Sequence, residues 1–235
     1  MRHGASHHAR ARHVSGADGV HVVGDYRVRT VTTGTWREHC YVVRHASSPE
    51  AVVIDPGEDA DGIAAALEAE GAVVAYVLLT HAHYDHVGAL AAVCGASGAP
   101  FYVHPGDTKL LRRAPVYAMS FEKKALRPPG EGRDVTAAAL TLGGRPIRTL
   151  HVPGHSEGGM AYALDGVAFT GDTLLREHIG RVDLPGGDAR RLRDSVTRLL
   201  EWLPEDTLLL AGHGRPWTAR EARAWWPRAE AAATS

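Results

Sequence analysis

Short apolar runs separated by turn residues dominate the first part of the chain after residue 18. These runs are rich in β-branched and aromatic residues, which favour strands, and they cover residues 20–23, 26–31, 40–43 and 51–54. The last run ends at Asp55-Pro56-Gly57, a composition typical of a turn. The pattern therefore predicts four strands, the last of which carries an aspartate at its carboxyl end.

Two later segments repeat apolar residues at the 3.6-residue period of an amphipathic helix. Residues 61–70 stop before Gly71, a residue suited to the carboxyl end of a helix. Residues 188–203 start at Asp188, a good N-cap, and stop before Pro204, which does not continue a helix. Both segments are therefore predicted helices with defined ends.

The rest of the chain contains further strands and two more predicted helices. The strands cover residues 73–79, 100–103, 147–152, 160–164, 167–170 and 208–211. Residues 87–93 predict a helix, and the capping-box pair Thr218 and Glu221 predicts a final helix that stops by Pro227. Residues 107–144 have the weakest pattern, and we interpret them as a variable excursion or lid.

Strands outnumber helices in both halves of the chain, and each half pairs a run of strands with helices. This arrangement predicts an α/β fold in which two sheets pack together and helices cover them on the outside. Residues 51–55 and 167–172 are both apolar strands that end in an aspartate, as in a duplicated αβ unit. We expect one domain over residues 19–235, and a disordered tail over residues 1–18 because that segment holds few apolar residues.

Composition narrows the choice of partner. The chain has 235 residues, 44% of them hydrophobic, and a formal net charge of -1 at pH 7, so no overall charge attracts nucleic acid. No apolar run approaches the roughly 18 residues that a membrane span needs. There is no secretory signal pattern, and Cys40 and Cys94 are expected to be reduced, which favours a cytoplasmic protein. We expect a small-molecule substrate, with no nucleic-acid or membrane partner.

The motif His81-x-His83-x-Asp85-His86 follows the apolar run 73–79 directly. Alternate residues of an extended segment share a side, so His81 and His83 can bind one metal ion. The chain then turns, which lets Asp85 and His86 address a second ion about 3.5 to 4 Å away, the usual separation in two-metal sites. So many polar side chains in one short segment would be costly as core filling, which favours a metal site.

Three further candidate ligands lie downstream, each in a glycine-marked turn after an apolar strand. They are His155 in Pro153-Gly-His-Ser, Asp172 in Thr170-Gly-Asp-Thr, and His213 in Ala211-Gly-His-Gly. A two-ion centre needs them because the first motif supplies too few ligands for two zinc ions. Any of them alone would be a weak signal, and the ordered set strengthens all three.

Together these residues resemble the ligand signature of the metallo-β-lactamase superfamily and, within it, the glyoxalase II-like (hydroxyacylglutathione hydrolase-like) branch. The resemblance covers residues 22–217 and implies a four-layer αβ/βα sandwich of two mixed β-sheets flanked by helices. It implies that one metal is held by His81, His83 and His155 and the other by Asp85, His86 and His213, with Asp172 as a bridge. It also implies that Asp55 accepts hydrogen bonds and steadies the ligating histidines.

Hydrolysis follows from such a centre. Two divalent ions, expected to be zinc although iron or manganese suit the same ligands, lower the pKa of a shared water from about 16 toward about 7. The resulting hydroxide bridges the metals and attacks the substrate carbonyl, and Asp85 is the catalytic residue expected to orient it or to accept its proton. The leading hypothesis is therefore cleavage of an acyl thioester, which has a good leaving group.

Three alternatives to thioester hydrolysis stay open. Residues 179–188 resemble short bacterial glyoxalase II-like proteins and also persulfide dioxygenases, which would hold one iron with His81, His155 and Asp172. The sequence Gly212-His213-Gly214 favours the hydrolase over the dioxygenase. A lactone or other ester hydrolase is the second alternative, and a non-catalytic, metal-stabilised binding protein is the third.

Substrate contacts are predicted in two places. Arg181 lies where full-length glyoxalase II has a substrate-binding lysine, and Tyr117 and Phe121 are candidates to line an acyl pocket. The basic residues Arg112, Arg113, Lys123 and Lys124 either face a phosphorylated carrier or are solvated charges on a loop. Full-length glyoxalase II adds a helical domain that grips glutathione, whereas this chain has 22 residues after His213, so the thiol carrier stays open.

Overall fold

Two β-sheets pack face to face, and α-helices cover the outer face of each. The structure, a computed structural model, describes residues 13–15, 19–127 and 129–234. Most of the predicted tail lies outside these residues. Its described part, His13–Ser15, forms a short strand at the edge of the larger sheet.

The larger sheet has eight strands whose spatial order follows the chain. They are β1 (His13–Ser15), β2 (Val20–Val23), β3 (Tyr26–Thr33), β4 (Glu38–His45), β5 (Glu50–Ile54), β6 (Val73–Leu78), β7 (Phe101–Val103) and β8 (Arg133–Asp134). Pairing is antiparallel from β1 to β5 and parallel from β5 to β8. Helices α1 (Ala60–Ala69) and α2 (Leu90–Ser97) make the crossovers that the parallel pairs β5–β6 and β6–β7 require.

The smaller sheet contains strands from the second half of the chain. Its order is β11 (Arg148–His151), β12 (Met160–Leu164), β13 (Val167–Gly171), β16 (Leu208–Ala211) and β17 (Trp217–Thr218). Helix α4 (Ala189–Trp202) joins the parallel strands β13 and β16, and α5 (Ala219–Thr234) follows β17. Two small hairpins are β9 (Thr141–Leu142) with β10 (Arg145–Pro146), and β14 (Leu174–Leu175) with β15 (His178–Ile179).

The two halves repeat one pattern. In each, an antiparallel strand pair is followed by a helix and a strand parallel to the second member: β4, β5, α1 and β6 in one half, and β12, β13, α4 and β16 in the other. Strand β5 ends just before Asp55, and β13 ends just before Asp172. The similarity predicted between residues 51–55 and 167–172 therefore extends to the topology around them.

Three apolar cores hold the layers together. The central core lies between the sheets and includes the fully buried side chains of Ile54, Leu78, Tyr162 and Phe169. The second joins the larger sheet to α1 and α2, and the third joins the smaller sheet to α4 and α5. The protein is therefore the predicted four-layer αβ/βα sandwich with two main mixed sheets. Across the described part of the chain, no helix combines the length and apolarity needed to span a membrane.

The predicted excursion at residues 107–144 is more regular than expected, because it contains the 15-residue helix α3 (Thr108–Glu122). Leu110, Leu111 and Ala114 from one face of α3 are buried in the core beside the larger sheet. Adjacent charged residues and Pro115 obscure this face in the sequence. Residues 108–122 of the segment are thus a helix packed beside the larger sheet, and the interpretation of residues 107–144 as a variable excursion or lid stays a prediction.

Two helix boundaries also differ from prediction. The helix predicted at residues 87–93 begins only at Leu90, since the backbone N–H of Ala89 donates to Pro56 and Gly57 of the turn after β5. Helix α5 continues through Pro227, which the sequence placed at its end. The buried Trp226 donates its indole N–H to Thr197 of α4 at 3.0 Å, and this contact keeps the helix docked across the proline.

Candidate metal centre

The seven candidate ligands meet at one edge of the sandwich, where strands of both sheets end. β6 leads into His81, and a 3-10 turn at Tyr84–His86 presents the end of the first motif. His155 follows β11, whereas Asp172 and His213 follow the parallel strands β13 and β16. The tertiary structure therefore brings together residues that lie up to 132 positions apart in the sequence.

Among the described residues, three groups of three possible ligands lie here: two consist of the candidates alone, and the third combines Asp55 with His81 and His86. One group is His81, His83 and His155, all buried, with their ligand atoms within 4.8 Å of one another. His83 Nδ1 lies 2.9 Å from His155 Nε2. The other group is Asp85, His86 and His213, in which Asp85 Oδ2 is 3.6 Å from Nε2 of each histidine. These are the two sets that the resemblance to the superfamily implies, and the binding of one ion by each set stays a prediction.

Asp172 lies between the two groups. Its Oδ2 is 3.6 Å from His155 Nε2 and 3.5 Å from His213 Nε2, and its Oδ1 is 3.7 Å from His86 Nε2. One carboxylate therefore contacts members of both groups, which is the position that a bridging ligand requires.

Several buried polar atoms at this point have no hydrogen-bond partner among the described residues. They include Nε2 of His81, Nε2 of His83 and Oδ1 of Asp172. Buried polar atoms without partners are rare in folded proteins and costly, so a cluster of them needs a compensating ligand. Imidazole nitrogens and carboxylate oxygens suit zinc, iron and manganese, and the residues present therefore fit divalent metal ions.

The pKa shifts agree with a cation site. Burial lowers the pKa of His81 well below its ordinary value, and burial together with His155 lowers the pKa of His83 to about 3. Burial alone would also lower the pKa of His86, but the carboxylates of Asp85 and Asp172 raise it to about 10. Two histidines are thus neutral and ready to coordinate, while the acidic side of the centre attracts positive charge.

Hydrogen bonds from the outer ring nitrogens orient three of the histidines. Nδ1 of His155 donates to the carbonyl of Arg181 at 2.8 Å, and Nδ1 of His213 donates to the carbonyl of Trp36 at 3.0 Å. Nδ1 of His81 lies 3.0 Å from the hydroxyl of Thr80. With the proton on Nδ1, each ring directs an unprotonated Nε2 to the centre.

Asp55 lies behind the centre and supports it. Its Oδ1 accepts the backbone N–H of Thr80 at 2.7 Å, its Oδ2 accepts the Thr80 hydroxyl at 2.5 Å, and Oδ2 also lies 3.4 Å from His86 Nδ1. Asp55 adopts a left-handed backbone conformation with φ of 50°. Both oxygens are engaged, so Asp55 has the geometry of the supporting acceptor that the sequence predicted.

Asp107 is a supporting residue that the sequence analysis missed, because it was assigned to the start of a variable segment. Its buried carboxylate accepts the N–H of Ala82 at 3.0 Å, the hydroxyl of Ser156 at 2.8 Å and the N–H of Gly158 at 2.7 Å. It therefore joins the loop of His81 and His83 to the loop of His155. The one available signal was an aspartate shortly after an apolar strand, as at Asp55.

Gly212 is one glycine that the geometry of the centre requires. A Cβ atom there would lie 2.0 Å from Asp172 Oδ1 and 2.8 Å from His86 Cε1. A side chain would displace both residues, so this position needs a glycine for close approach and not for a positive φ.

A pocket of about 660 Å³ opens onto the centre, and its lining is mainly apolar. One wall carries the aromatic side chains of Trp36, Tyr84, Tyr117 and Phe121. Rings of Tyr84 and Phe121 stack with centroids 6.0 Å apart, and the indole N–H of Trp36 donates to the Tyr84 hydroxyl at 2.7 Å. Tyr117 and Phe121 thus lie at the pocket, as predicted.

Arg181 also lines the pocket, but its charge is already paired. Its guanidinium donates twice to the Asp183 carboxylate, at 2.7 and 2.6 Å. The predicted contact of Arg181 with an anionic substrate would compete with this bidentate ion pair. The contact of Arg181 with an anionic substrate stays a prediction.

Comparisons with known proteins agree with this geometry. The family model of the metallo-beta-lactamase superfamily matches residues 33–213. Hydroxyacylglutathione hydrolase GloC of Haemophilus influenzae is 30% identical over 192 residues, which cover 80% of this chain and 90% of that protein.

Two solved structures are similar throughout the fold. BLEG-1, a B3 metallo-beta-lactamase, matches with a TM-score of 0.78 and 32% identity over 86% of this chain and 98% of that chain. TTHA1623 in a di-iron-bound form matches with a TM-score of 0.75 and 36% identity, over 83% of this chain and 97% of that chain. With its sandwich fold and its two histidine and aspartate clusters, the chain belongs to the metallo-β-lactamase superfamily, a superfamily of metallo-hydrolases.

Proposed function

We propose that the protein hydrolyses acyl thioesters with a dinuclear metal centre. The observation that carries this proposal is the pair of three-residue clusters joined by Asp172 at the floor of a largely apolar pocket. The 30% identity to hydroxyacylglutathione hydrolase GloC supports the thioester as substrate class.

Under this proposal His81, His83 and His155 hold one ion, and Asp85, His86 and His213 hold the other. Asp172 would contact both ions, since its carboxylate lies between the two groups. When bound, two divalent ions would supply Lewis acidity, lowering the pKa of a coordinated water and polarising a carbonyl oxygen. Zinc suits this ligand set, and the di-iron form of TTHA1623 makes iron an equal candidate.

The side chains of the protein supply the proton transfer and the orientation. His86 and the other histidines outweigh the effect of burial and hold the pKa of Asp85 below its ordinary value, so its carboxylate is ionised at neutral pH. An ionised Asp85 can accept a hydrogen bond from the attacking water and orient it. The hydrogen bonds of His155 to Arg181 and of His213 to Trp36 fix the rings, and the aromatic wall borders the space that the reacting carbonyl would occupy.

The apolar lining favours the acyl group as the part of the substrate that enters the main pocket. Leu110, Leu175, Ile179 and Leu184 line it together with the aromatic wall. Transfer of each methylene from water into such a pocket contributes about 0.8 kcal/mol. A thioester whose acyl group has several carbons therefore fits this pocket better than an acetyl ester.

The test measures turnover of a panel of substrates by metal-loaded protein, together with the number of metal ions bound per chain. Lactoylglutathione, coenzyme A thioesters and simple thioesters are assayed with zinc and with iron, and we expect turnover of at least one thioester class. Asp85→Ala should lose at least about a hundredfold in kcat, because it removes both a metal ligand and a positioned proton acceptor, while the unfolding curve of the chelator-treated variant stays close to that of chelator-treated wild type. Absence of thioester turnover by a sample with two metals per chain would reject the proposal.

β-Lactam hydrolysis is the second candidate, and it rests on the 32% identity to BLEG-1 over most of both chains. The panel therefore includes a chromogenic β-lactam. Oxygen uptake with glutathione persulfide and one iron per chain would instead identify a persulfide dioxygenase.

A further inference from the structure

A small side pocket of about 120 Å³ opens beside the main pocket. The two share Leu110, Tyr117 and Pro185 in their walls, so they are adjacent parts of one surface depression. The main pocket reaches the metal centre, whereas the side pocket lies against the start of α3. A substrate bound at the centre can therefore extend into the side pocket.

Two cationic side chains line the side pocket. Lys109 and Arg113 are four residues apart on α3, a spacing that places them on the same face of the helix. Both are exposed, and in the described part of the chain neither has a hydrogen-bond or ion-pair partner. Their charges are therefore available to a ligand.

Other basic residues of this region either do not line the side pocket or are already in an ion pair. Arg112 lies next to Arg113 but lines neither pocket. Lys124 is held by Glu58 and Glu122, and Arg181 by Asp183. Of the four basic residues that the sequence marked between 112 and 124, the structure thus selects Arg113 and adds Lys109.

Two carboxylates also line the side pocket, and they differ in their engagement. Asp107 is buried and accepts three hydrogen bonds from the ligand loops. Glu157 is exposed and has no partner among the described side chains. Among the exposed charges of the lining, two cations therefore stand against one carboxylate, whereas the charge of Asp107 is buried beside its three donors, and the exposed part of the pocket favours an anionic group.

We propose that the side pocket binds the anionic end of the thiol carrier, a carboxylate or a phosphate, while the thioester lies at the centre. This inference rests on the proposed function. Arg113 suits the role because a guanidinium can donate two parallel hydrogen bonds to either group. The carrier contact thus lies on α3 and not at Arg181.

The first experiment measures binding, which does not depend on turnover. S-Methylglutathione carries carboxylates and coenzyme A carries phosphates, and each is titrated calorimetrically into wild type, Arg113→Gln, Lys109→Gln and the neighbouring control Arg112→Gln. We expect at least one ligand to bind, with affinity reduced by about three- to tenfold in Arg113→Gln and Lys109→Gln and unchanged in Arg112→Gln. The responding ligand identifies the anion.

The second experiment compares one acyl group on three carriers: glutathione, coenzyme A and the neutral N-acetylcysteamine. Arg113→Gln should raise KM for the thioester of an anionic carrier by about three- to tenfold, the factor expected for binding. It should leave kcat, and KM for the thioester of N-acetylcysteamine, within about twofold of wild type. The effect on KM should disappear at high salt, because salt screens the charge of Arg113. Glu157→Gln should lower KM for the anionic carrier.

Two results would overturn the inference. One is that neither anionic ligand binds in the calorimeter, and the other is that Arg112→Gln and Arg113→Gln have equal effects. Turnover of thioesters without any dependence on Arg113 would leave the proposed function intact and reject the side pocket alone. Arg113-dependent binding of an anionic ligand without thioester turnover would support the side pocket and reject the proposed function.

Discussion

The buried carboxylate of Asp107 provides the sharpest test of how the centre is held. Its two oxygens accept the N–H of Ala82, the hydroxyl of Ser156 and the N–H of Gly158, all of them buried. Asp107→Ala leaves these three donors without their acceptor. At about 1 to 2 kcal/mol for each buried unpaired donor, the free energy of unfolding should fall by about 3 to 6 kcal/mol. Water entering the vacated space would place the result at the lower end.

The change should also weaken metal binding. Asp107 links the loop of His81 and His83 to the loop of His155, so its loss frees the first three-residue group to rearrange. Supporting residues of this kind typically contribute about ten- to a hundredfold to metal affinity. Asp107→Asn keeps one acceptor oxygen and should fall between wild type and Asp107→Ala in both measurements.

The assay is urea unfolding of chelator-treated protein, which separates intrinsic stability from stabilisation by bound metal. Metal affinity is then measured by competition with a chromophoric chelator. Asp134→Ala is the matched control. Asp134 also accepts a backbone N–H, from Thr136 at 2.8 Å, but its carboxylate is exposed and water can replace it. If Asp107→Ala is no more destabilised than this control and binds metal as wild type does, the supporting role is refuted.

Three further predictions follow from individual contacts. Gly212→Ala should lower metal affinity by at least about tenfold because its Cβ would meet Asp172, whereas Gly95→Ala, with open space around it, should not; chelator competition compares them. Phe121→Ala should reduce kcat/KM for long-chain acyl substrates by about fivefold, whereas Met119→Ala, exposed on the same helix but outside the pocket, should have no effect in the same assay. For Glu70, burial alone would raise the pKa, but Arg27 and Arg29 hold it below 4.5, so the ion pairs stabilise the fold above that pH. The free energy of unfolding of wild type should therefore decrease more steeply below pH 4.5 than that of Glu70→Gln in urea titrations, and parallel curves would contradict the assignment.

The local pattern of apolar and polar residues was sufficient to predict most of the strands and helices. Strand β5 and helix α4 agree with the prediction within one or two residues at each end, because their apolar periods and their terminal Asp and Pro residues act over short distances. Helix α3 was missed for a local reason as well. Its buried face consists of a few apolar residues that alternate with charged residues in the sequence. Only the packing of α3 against the core beside the larger sheet shows that this face is buried.

The sequence by itself determined which side chains are candidates for a metal centre. The spacing of its first motif after an apolar strand predicted that His81 and His83 face one ion and that Asp85 and His86 address a second. The resemblance to the superfamily implied how His155, Asp172 and His213 complete the two groups, and the fold brings all seven together. The prediction from spacing was possible because strand ends and tight turns present side chains in directions that depend on a few neighbouring residues.

Only the tertiary structure decided what surrounds those ligands. The hydrogen bond from His213 to Trp36 spans 177 positions, and the one from Ser156 to Asp107 spans 49. The free charge of Arg113 and the paired charge of Arg181 likewise depend on which side chains the packed layers leave within reach. Contacts between distant segments are set by how sheets and helices pack, and no local period in the sequence encodes that arrangement.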